Sequence, residues 1–378
     1  MHNDYLTFYG EHQISPVSQN IHDLDVHYER RKKLYRQCGI PLLAFRNANI
    51  LEIGPGGGYN TLAFFYWGCA HVDLVEANAT GISNMQALFK EQHILQEKYE
   101  IFPGKIENYQ TDKKYDMIIA EGFLQFLPNQ QIIIDKMKEL ANQNGIIVIT
   151  CSDHVCLFVE LMKRLIGWAL TKDMQQYEDK LACLIKFYEP QLSALKGMSR
   201  SAKDWVEDMM INPATSNCEE LSMAQAICYF EKEYDILGSS PKIFTDYSWY
   251  KDIWYDYKKE YKNQFEAKRL SLLMTNTPEI SLSVTQIHTL VKHFEAIKKL
   301  AADYEKDYAS HCITDILYHM EQMNPMIYNI DHVFVKVFDE IRAALAELLQ
   351  TGTTDLEKYP HFKSAFGRTQ QYIAFMKK

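Results

Sequence analysis

The sequence contains little glycine and proline, no paired cysteine motif and no long apolar run. Of 378 residues, 16 are glycine and 11 are proline, while 47% are hydrophobic, which excludes collagen-like and largely disordered proteins. The eight cysteines are scattered without a C-x-x-C pair, so we expect neither a disulfide framework nor a zinc ribbon. No H-E-x-x-H motif occurs, and we expect no metal site.

Basic residues are also in deficit, because 40 Lys and Arg face 49 Asp and Glu, giving a net charge of -9. A field of this sign repels phosphate backbones, so we expect no nucleic-acid partner. No stretch reaches the roughly 18 consecutive apolar residues of a membrane span, and the first residues lack the pattern of a secretion signal. We therefore expect a cytoplasmic protein with no membrane partner.

The hydrophobic pattern divides the chain into regions. Residues 1–46 predict an N-terminal helical lid, with a helix over 22–38 that Gly39 and Pro41 end. Residues 47–151 alternate short β-branched runs with helical patterns, which predicts an α/β fold with a doubly wound, mostly parallel sheet. The predicted strands are NILEI (49–53), HVDLVE (71–76), YEIFP (99–103), YDMIIA (115–120) and GIIVITC (145–151).

The remaining chain reads mainly as helix. Residues 152–230 predict a helical insertion or cap, residues 231–250 possible last strands of the sheet, and residues 251–378 a C-terminal helical region. Apolar residues at helical spacing over 287–300 and 333–348 indicate a helical core, the alternative being a partner-binding face. A homo-oligomer through this helical region is a further expectation.

The most informative segment is NILEIGPGGGYNT, residues 49–61, in which a strand runs into a glycine-rich loop and then a helix. Glycines remove the Cβ atoms that would block a ligand, and a helix N-terminus presents free N–H groups, so a nucleotide-like ligand is expected. The dinucleotide fingerprint G-x-G-x-x-G fails, because its third small position falls on Tyr59. No G-x-x-x-x-G-K-[ST] phosphate loop is present.

The pattern acidic-x-Gly-x-Gly-x-Gly, formed by Glu52, Gly54, Gly56 and Gly58, resembles the first motif of class I S-adenosylmethionine-dependent methyltransferases. The resemblance, shared with bacterial members of unassigned substrate, implies a Rossmann-like core. It also implies S-adenosyl-L-methionine as cofactor and S-adenosyl-L-homocysteine as product. A carboxylate beside the loop suits a ligand with an ammonium and a sulfonium group. The resemblance places Glu52 near the methionine amino group and the loop, Pro55 included, against the cofactor.

Two later segments extend the resemblance. Glu76 ends the second strand 22 residues after Gly54, where doubly wound folds place the carboxylate that binds the ribose hydroxyls. Ala77 and Asn78 would flank the adenosine. The family often has Asp where this chain has Lys105, which leaves adenine recognition to backbone groups of Lys105 and Ile106.

The fourth strand ends at Glu121 and Gly122, which matches the family segment where the methyl group and the substrate meet, and both residues are expected to contact the cofactor. The sequence AEGF at this point lacks the [DNS]-P-P-[YF] motif of enzymes that methylate nucleic-acid bases. This departure agrees with the acidic net charge.

Methyl transfer from a sulfonium is an in-line displacement, so the enzyme mainly aligns the acceptor and excludes water. An alcohol, phenol or ammonium acceptor needs a base, for which His154 and Glu121 are the candidates. Candidate substrate contacts are Tyr9, Gln125, His154, Arg200 and Trp205. For His154 the alternative is a polar contact near an Asp153 helix cap.

For the remaining candidate residues, a purely structural role is at least as well supported as contact with a ligand. His12 and His27 of the lid are expected to be solvated or packed rather than functional. The basic clusters at 30–33 and 196–203 suit an anionic acceptor or a solvated helix face. The aromatic residues between Tyr247 and Tyr257 suit either an acceptor pocket or the core.

These features predict a methyltransferase that acts on an O or N atom of a small-molecule acceptor, with the helical insertion as a specificity cap. Two alternatives remain open. One is a related transferase that moves the aminopropyl group of the cofactor. The other is a non-enzymatic protein that senses the cofactor or binds a partner through its helical region.

Overall fold

The computed structural model describes residues 5–15, 19, 21–193, 195, 197–198, 200–212, 220–246, 248–251, 260–275, 277, 280 and 282–378. Its centre is a seven-stranded sheet of order β3-β2-β1-β4-β5-β7-β6. The first five strands are parallel, and β7 is antiparallel to both β5 and β6. The strands are β1 (Asn49–Ile53), β2 (His71–Glu76), β3 (Tyr99–Pro103), β4 (Tyr115–Ala120), β5 (Ala141–Cys151), β6 (Tyr234–Ser240) and β7 (Gln371–Lys377).

The described residues also form fourteen α-helices. They are α1 (Tyr5–His12), α2 (Leu24–Gln37), α3 (Thr61–Tyr66), α4 (Ala79–Glu91), α5 (Gln130–Leu140), α6 (Phe158–Thr171), α7 (Tyr177–Leu192), α8 (Ala202–Val206), α9 (Met223–Phe230), α10 (Tyr261–Lys268), α11 (Val284–Asp307), α12 (Ser310–Ile327), α13 (His332–Thr351) and α14 (Pro360–Ser364).

The predicted α/β class with a mostly parallel sheet is confirmed, and β1 to β4 have the predicted bounds. Their apolar runs are buried because helices cover both faces of a parallel sheet. The lid helix, predicted over 22–38, is α2; the Asp23 side chain accepts a hydrogen bond from the N–H of Val26 at its start.

The sheet differs from the prediction at its far edge. Strand β5 begins at Ala141 rather than at 145, and the 231–250 segment supplies one strand, β6, among its described residues. Residues 251–378 are not helical throughout, because the chain ends in β7, which fills the position between β5 and β6. The hydrophobic periodicity did not predict β7, because the residues QYIAFMK fit the end of a helical region as well as they fit a strand.

The chain folds as two compact units. The first comprises 1–151, 212–264 and 370–378, and it contains the sheet. Its core packs helices α2 to α4 against the strands, with Tyr35, Phe45 and Phe64 fully buried.

The second unit comprises 152–211 and 265–369 and is helical in its described part. Its core joins α6 with α11, α12 and α13, and the predicted apolar face of α11 lies inside it, with Ile287 and Leu290 fully buried. This packing agrees with a helical core. Among the helices of the described ranges, none has the length and apolar character needed to cross a membrane.

Candidate functional site

The glycine-rich loop between β1 and α3 has the backbone conformation that requires glycine. Gly54, Gly56 and Gly58 have φ angles of 68°, 57° and 77°, which L side chains rarely adopt. A Cβ atom on Gly58 would also lie 2.7 Å from the Met85 side chain. The loop therefore holds its backbone close to α4, with no room for larger residues at Gly58.

Glu76, at the end of β2, binds the backbone of this loop. Its carboxylate accepts hydrogen bonds of 2.7 Å from the N–H groups of both Gly56 and Asn78. Burial raises the pKa of Glu76, and these backbone donors oppose the rise. The predicted ribose carboxylate thus lies against the glycine loop, where the sequence pattern puts it.

The residues after β2 and β3 lie beside Glu76. Asn78 caps α4 by accepting from the N–H of Thr80, and its amide nitrogen donates to the carbonyl of Ile14. The N–H of Gly104 donates to the backbone carbonyl of Glu76, so the following loop, with exposed Lys105 and buried Ile106, starts at this edge of the sheet. Ala77 links Glu76 to Asn78 by chain continuity.

Glu52 lies one residue before the end of β1 and is 3% exposed. Its carboxyl oxygen accepts a hydrogen bond of 2.5 Å from the hydroxyl of Thr61, the first residue of α3. Burial raises the pKa of Glu52 to about 8, so the free protein holds this carboxyl largely protonated at neutral pH. A cation placed beside Glu52 would favour the ionised form.

Glu121 follows β4 and is held by three donors. It accepts from the Arg31 guanidinium at 2.5 Å, from the Tyr35 hydroxyl at 2.7 Å and from the Asn60 amide at 3.2 Å. The side chains of Arg31 and Glu121 are each 7% exposed, so this is a buried ion pair. Although burial opposes it, Glu121 raises the pKa of Arg31 well above the ordinary value. Glu121 therefore attaches α2 to the end of the sheet that holds the loop.

The buried face of α2 brings together residues that the sequence analysis treated separately, and it adds Tyr35 to them. His27, Arg31 and Tyr35 follow one another at four-residue intervals, which places them on one helix face, and all three are buried. The His27 ring contacts the carbonyl of Tyr59 at 3.0 Å. Burial and the neighbouring Arg31 lower the pKa of His27 to about 4. The sequence did contain a sign of this arrangement, because residues at positions i, i+4 and i+8 of a helix lie on one face.

Arg31 also corrects the interpretation of the basic cluster at 30–33. Lys33 is exposed and Lys32 pairs with Glu29 at 2.6 Å, as expected for a solvated face. Arg31 is buried instead, and its Nε makes no hydrogen bond to a described residue. The basic cluster at 30–33 therefore combines partly or fully exposed lysines with one buried arginine.

Two other predicted contacts of the first unit have structural partners. The side-chain oxygen of Gln125 accepts from Thr150 at 2.6 Å, and Thr150 in turn accepts from the N–H of Gly122 at 2.9 Å. The Tyr9 hydroxyl accepts from the Asn212 amide at 2.9 Å, and Tyr9 is 9% exposed. Both residues hold elements together, and their substrate roles stay predictions.

The remaining candidates belong to the second unit. His154 follows Asp153, whose carboxylate caps the turn before α6 and pairs with Arg269 at 2.7 Å. Arg200 forms an ion pair with Asp208. Trp205 packs among Tyr188 and Phe366 in a hydrophobic cluster. The first unit therefore brings together Glu52, Glu76 and Glu121, and it does not contain His154, Arg200 or Trp205.

Two sequence predictions lie outside the described residues. They are Lys196 of the second basic cluster, and Tyr247 with the aromatic residues Trp254, Tyr255 and Tyr257.

Comparison with known proteins agrees with this geometry. Residues 44–226 match the family model described as a methyltransferase domain. This match covers just under half of the chain, and it agrees with the resemblance to S-adenosylmethionine-dependent methyltransferases. The predicted recognition, enzyme class and cofactor are thus confirmed for this domain.

Individual relatives match over shorter stretches. Trans-aconitate 2-methyltransferase of Escherichia coli O7:K1 is 24% identical over 131 residues, 35% of this chain and 48% of that protein. Histone-arginine methyltransferase CARMER of Drosophila willistoni is 28% identical over 131 residues, 35% of this chain and 23% of that protein. The chain thus spans about half or less of the length of these two relatives.

A solved structure, PKMT2 from Rickettsia typhi in complex with AdoHcy, is similar at 19% identity with a TM-score of 0.41. The similarity covers 60% of this chain and 46% of that one.

Proposed function

We propose that this protein transfers the methyl group of S-adenosylmethionine to an O or N atom of a small-molecule acceptor. The observation that supports it most is the glycine loop, with Glu76 bound to the Gly56 N–H, inside a methyltransferase domain. The net charge of -9 favours a small acceptor over a nucleic acid.

In this proposal Glu76 binds the ribose hydroxyls with the lone pairs that Gly56 and Asn78 leave available. Glu52 lies beside the methionine ammonium. Because the pKa of Glu52 is about 8 in the free protein, a neighbouring cation would lower it and drive release of a proton. Arg31, whose Nε has no hydrogen-bond partner among the residues that the structure describes, would receive the methionine carboxylate.

We further propose an acceptor that needs no general base. Three donors already hold the Glu121 carboxylate, and the His27 ring is bound to a backbone carbonyl with its pKa near 4. Neither group is arranged to remove a proton from a hydroxyl. A carboxylate oxygen or a neutral amine brings its own lone pair, so positioning alone is sufficient.

The names of the relatives do not choose between these acceptors. One relative is a trans-aconitate methyltransferase and therefore concerns a carboxylic acid, whereas another is a histone-arginine methyltransferase and concerns a nitrogen. The acceptor panel must therefore include both classes.

The test is product analysis by mass spectrometry after incubation of the full chain with S-adenosylmethionine and a panel of di- and tricarboxylates, amines, phenols and alcohols. We expect S-adenosylhomocysteine and a methyl ester or methylamine, with phenols and alcohols unreacted. Methylthioadenosine as the co-product would instead support transfer of the amino-carboxypropyl group of the cofactor to the acceptor. Cofactor binding with no product from any acceptor would support a sensing or partner-binding protein.

A further inference from the structure

A second polar cluster lies at the opposite edge of the sheet from the glycine loop. His71 and Asp73 lie near the start of β2, and Glu100 near the start of β3. The register pairs Asp73 with Glu100 on adjacent parallel strands, so their side chains share one face. Ligand atoms of His71, Asp73 and Glu100 all lie within 4.8 Å of one another.

The His71 ring lies between two oxygens that can only accept hydrogen bonds. Its Nδ1 is 3.0 Å from the backbone carbonyl of Glu97, and its Nε2 is 3.0 Å from Asp73 Oδ1. Although burial opposes it, hydrogen bonds from Tyr115 and Lys113 lower the pKa of Asp73, so its carboxylate is ionised. Two arrangements provide a donor or a cation for each of these oxygens. In the first, both ring nitrogens carry a proton. In the second, Nδ1 carries a proton and a cation lies between Nε2 and Asp73.

The second arrangement is the one found around metal-binding histidines, in which the other ring nitrogen donates to a backbone carbonyl. Two ligands about 2.0–2.1 Å from a tetrahedral zinc ion lie roughly 3.3 Å apart. The observed Nε2 to Oδ1 distance of 3.0 Å is close to that separation.

A cation is already favoured at this position. The Lys113 ammonium lies 2.9 Å and 3.1 Å from the two Asp73 oxygens and 3.1 Å from Glu100. Asp73 is buried, whereas the side chains of Lys113 and Glu100 are 50% and 69% exposed. A cavity of about 400 Å³, lined by His71, Asp73 and Lys113 among others, leaves room for an ion and its water ligands.

We propose that His71, Asp73 and Glu100 form a Zn²⁺ site in which the metal competes with the Lys113 ammonium. The metal takes the place of the direct contact between His71 Nε2 and Asp73, and Lys113 turns outward. Mixed imidazole and carboxylate ligands suit zinc better than magnesium or calcium. The site joins β2 to β3 at the edge away from the glycine loop, so its role is structural. This proposal departs from the sequence-based expectation of no metal site, because ligands drawn from two separate strands have no spacing motif in the sequence.

The test is calorimetric titration of the metal-free full chain with ZnCl₂. We expect Lys113→Met to bind zinc at least tenfold more tightly than the wild type, because the competing cation is gone. The matched control is Lys114→Met. Lys114 lines the same cavity, but its ammonium donates to the backbone carbonyl of Glu139. The Lys114→Met variant should therefore bind zinc with the affinity of the wild type. His71→Ala and His71→Gln should weaken binding at least tenfold.

Zinc affinity unchanged in both His71 variants, or Lys113→Met binding no more tightly than Lys114→Met, would overturn the proposal. Circular dichroism verifies that each variant is folded. Binding of S-adenosylhomocysteine should be unaltered in the His71 variants, so this test is independent of the methyltransferase proposal.

Discussion

Three buried carboxylates of the first unit have different surroundings, and these surroundings assign them different tasks. Glu76 is held by backbone N–H groups, Glu121 by a guanidinium, and Glu52 by a hydroxyl alone. Burial raises the pKa of Glu52 to about 8, and the Thr61 hydroxyl and the more distant Arg31 oppose this rise only in part. A ligand ammonium beside Glu52 would oppose it further.

Glu52→Gln tests this difference. The folded protein keeps a proton on Glu52 that the unfolded chain, with an ordinary pKa near 4.5, releases. The unfolded state thus binds fewer protons between pH 4.5 and 8, and stability falls as pH rises through that window. The loss is at most about 1.4 kcal/mol per pH unit.

We expect Glu52→Gln to remove this decline and to be more stable than the wild type at pH 8, measured by urea unfolding of ligand-free protein. Glu91→Gln, which changes an exposed carboxylate on α4, is the matched control and should keep the wild-type slope. Parallel pH profiles for Glu52→Gln and the wild type would contradict the assignment.

At the scale of elements, α2 is attached to the sheet by a charge pair rather than by apolar contacts alone. Arg31→Met leaves the Glu121 carboxylate buried without its counter-ion, which costs about 3–5 kcal/mol. The double variant Arg31→Met with Glu121→Gln should recover most of that loss, because no buried charge remains. Lys33→Met on the exposed face is the control. Urea unfolding measures these variants together with the single Glu121→Gln variant. A double variant whose loss of stability equals the sum of the two single losses would refute the buried pair.

The glycine loop allows a matched comparison between backbone strain and lack of space. Gly68 and Gly58 have similar φ angles of 83° and 77°, but a Cβ on Gly68 would meet nothing within 4 Å. Gly68→Ala should therefore cost only about 1–2 kcal/mol for the left-handed conformation. Gly58→Ala should cost about 1–3 kcal/mol more, because its Cβ would press on Met85 and Phe89. Equal unfolding free energies would show that the loop has spare room.

The elements of the parallel sheet were predictable because each strand is a short apolar run beside a turn, and its bounds depend on local pattern. Strand β7 was not, because its place depends on pairing with β5 and β6, which both lie far earlier in the chain. The loop carboxylates Glu52 and Glu76 followed from motif spacing. The Arg31 and Glu121 pair did not, because it joins residues 90 positions apart.

At the scale of the whole molecule, the chain divides its residues between a sheet unit with the methyltransferase motifs and a helical unit. The helical faces over 287–300 were predicted as core because apolar spacing reports burial whatever the partner element is. The roles of Arg200 and Trp205 were harder to predict. Sequence spacing does not distinguish a core aromatic residue or a paired arginine from a residue that contacts a ligand. Their places depend on tertiary packing.

The central claim is that the first unit binds an adenosyl cofactor through the glycine loop and Glu76. The most direct measurement is isothermal titration calorimetry of the full chain with S-adenosylmethionine, S-adenosylhomocysteine and NAD in parallel. We expect micromolar binding of both adenosyl ligands and none of NAD. Glu76→Ala should weaken that binding by roughly 1.5–3 kcal/mol, the contribution of a charged hydrogen bond. Absence of adenosyl binding, or equal affinity in Glu76→Ala, would contradict the account.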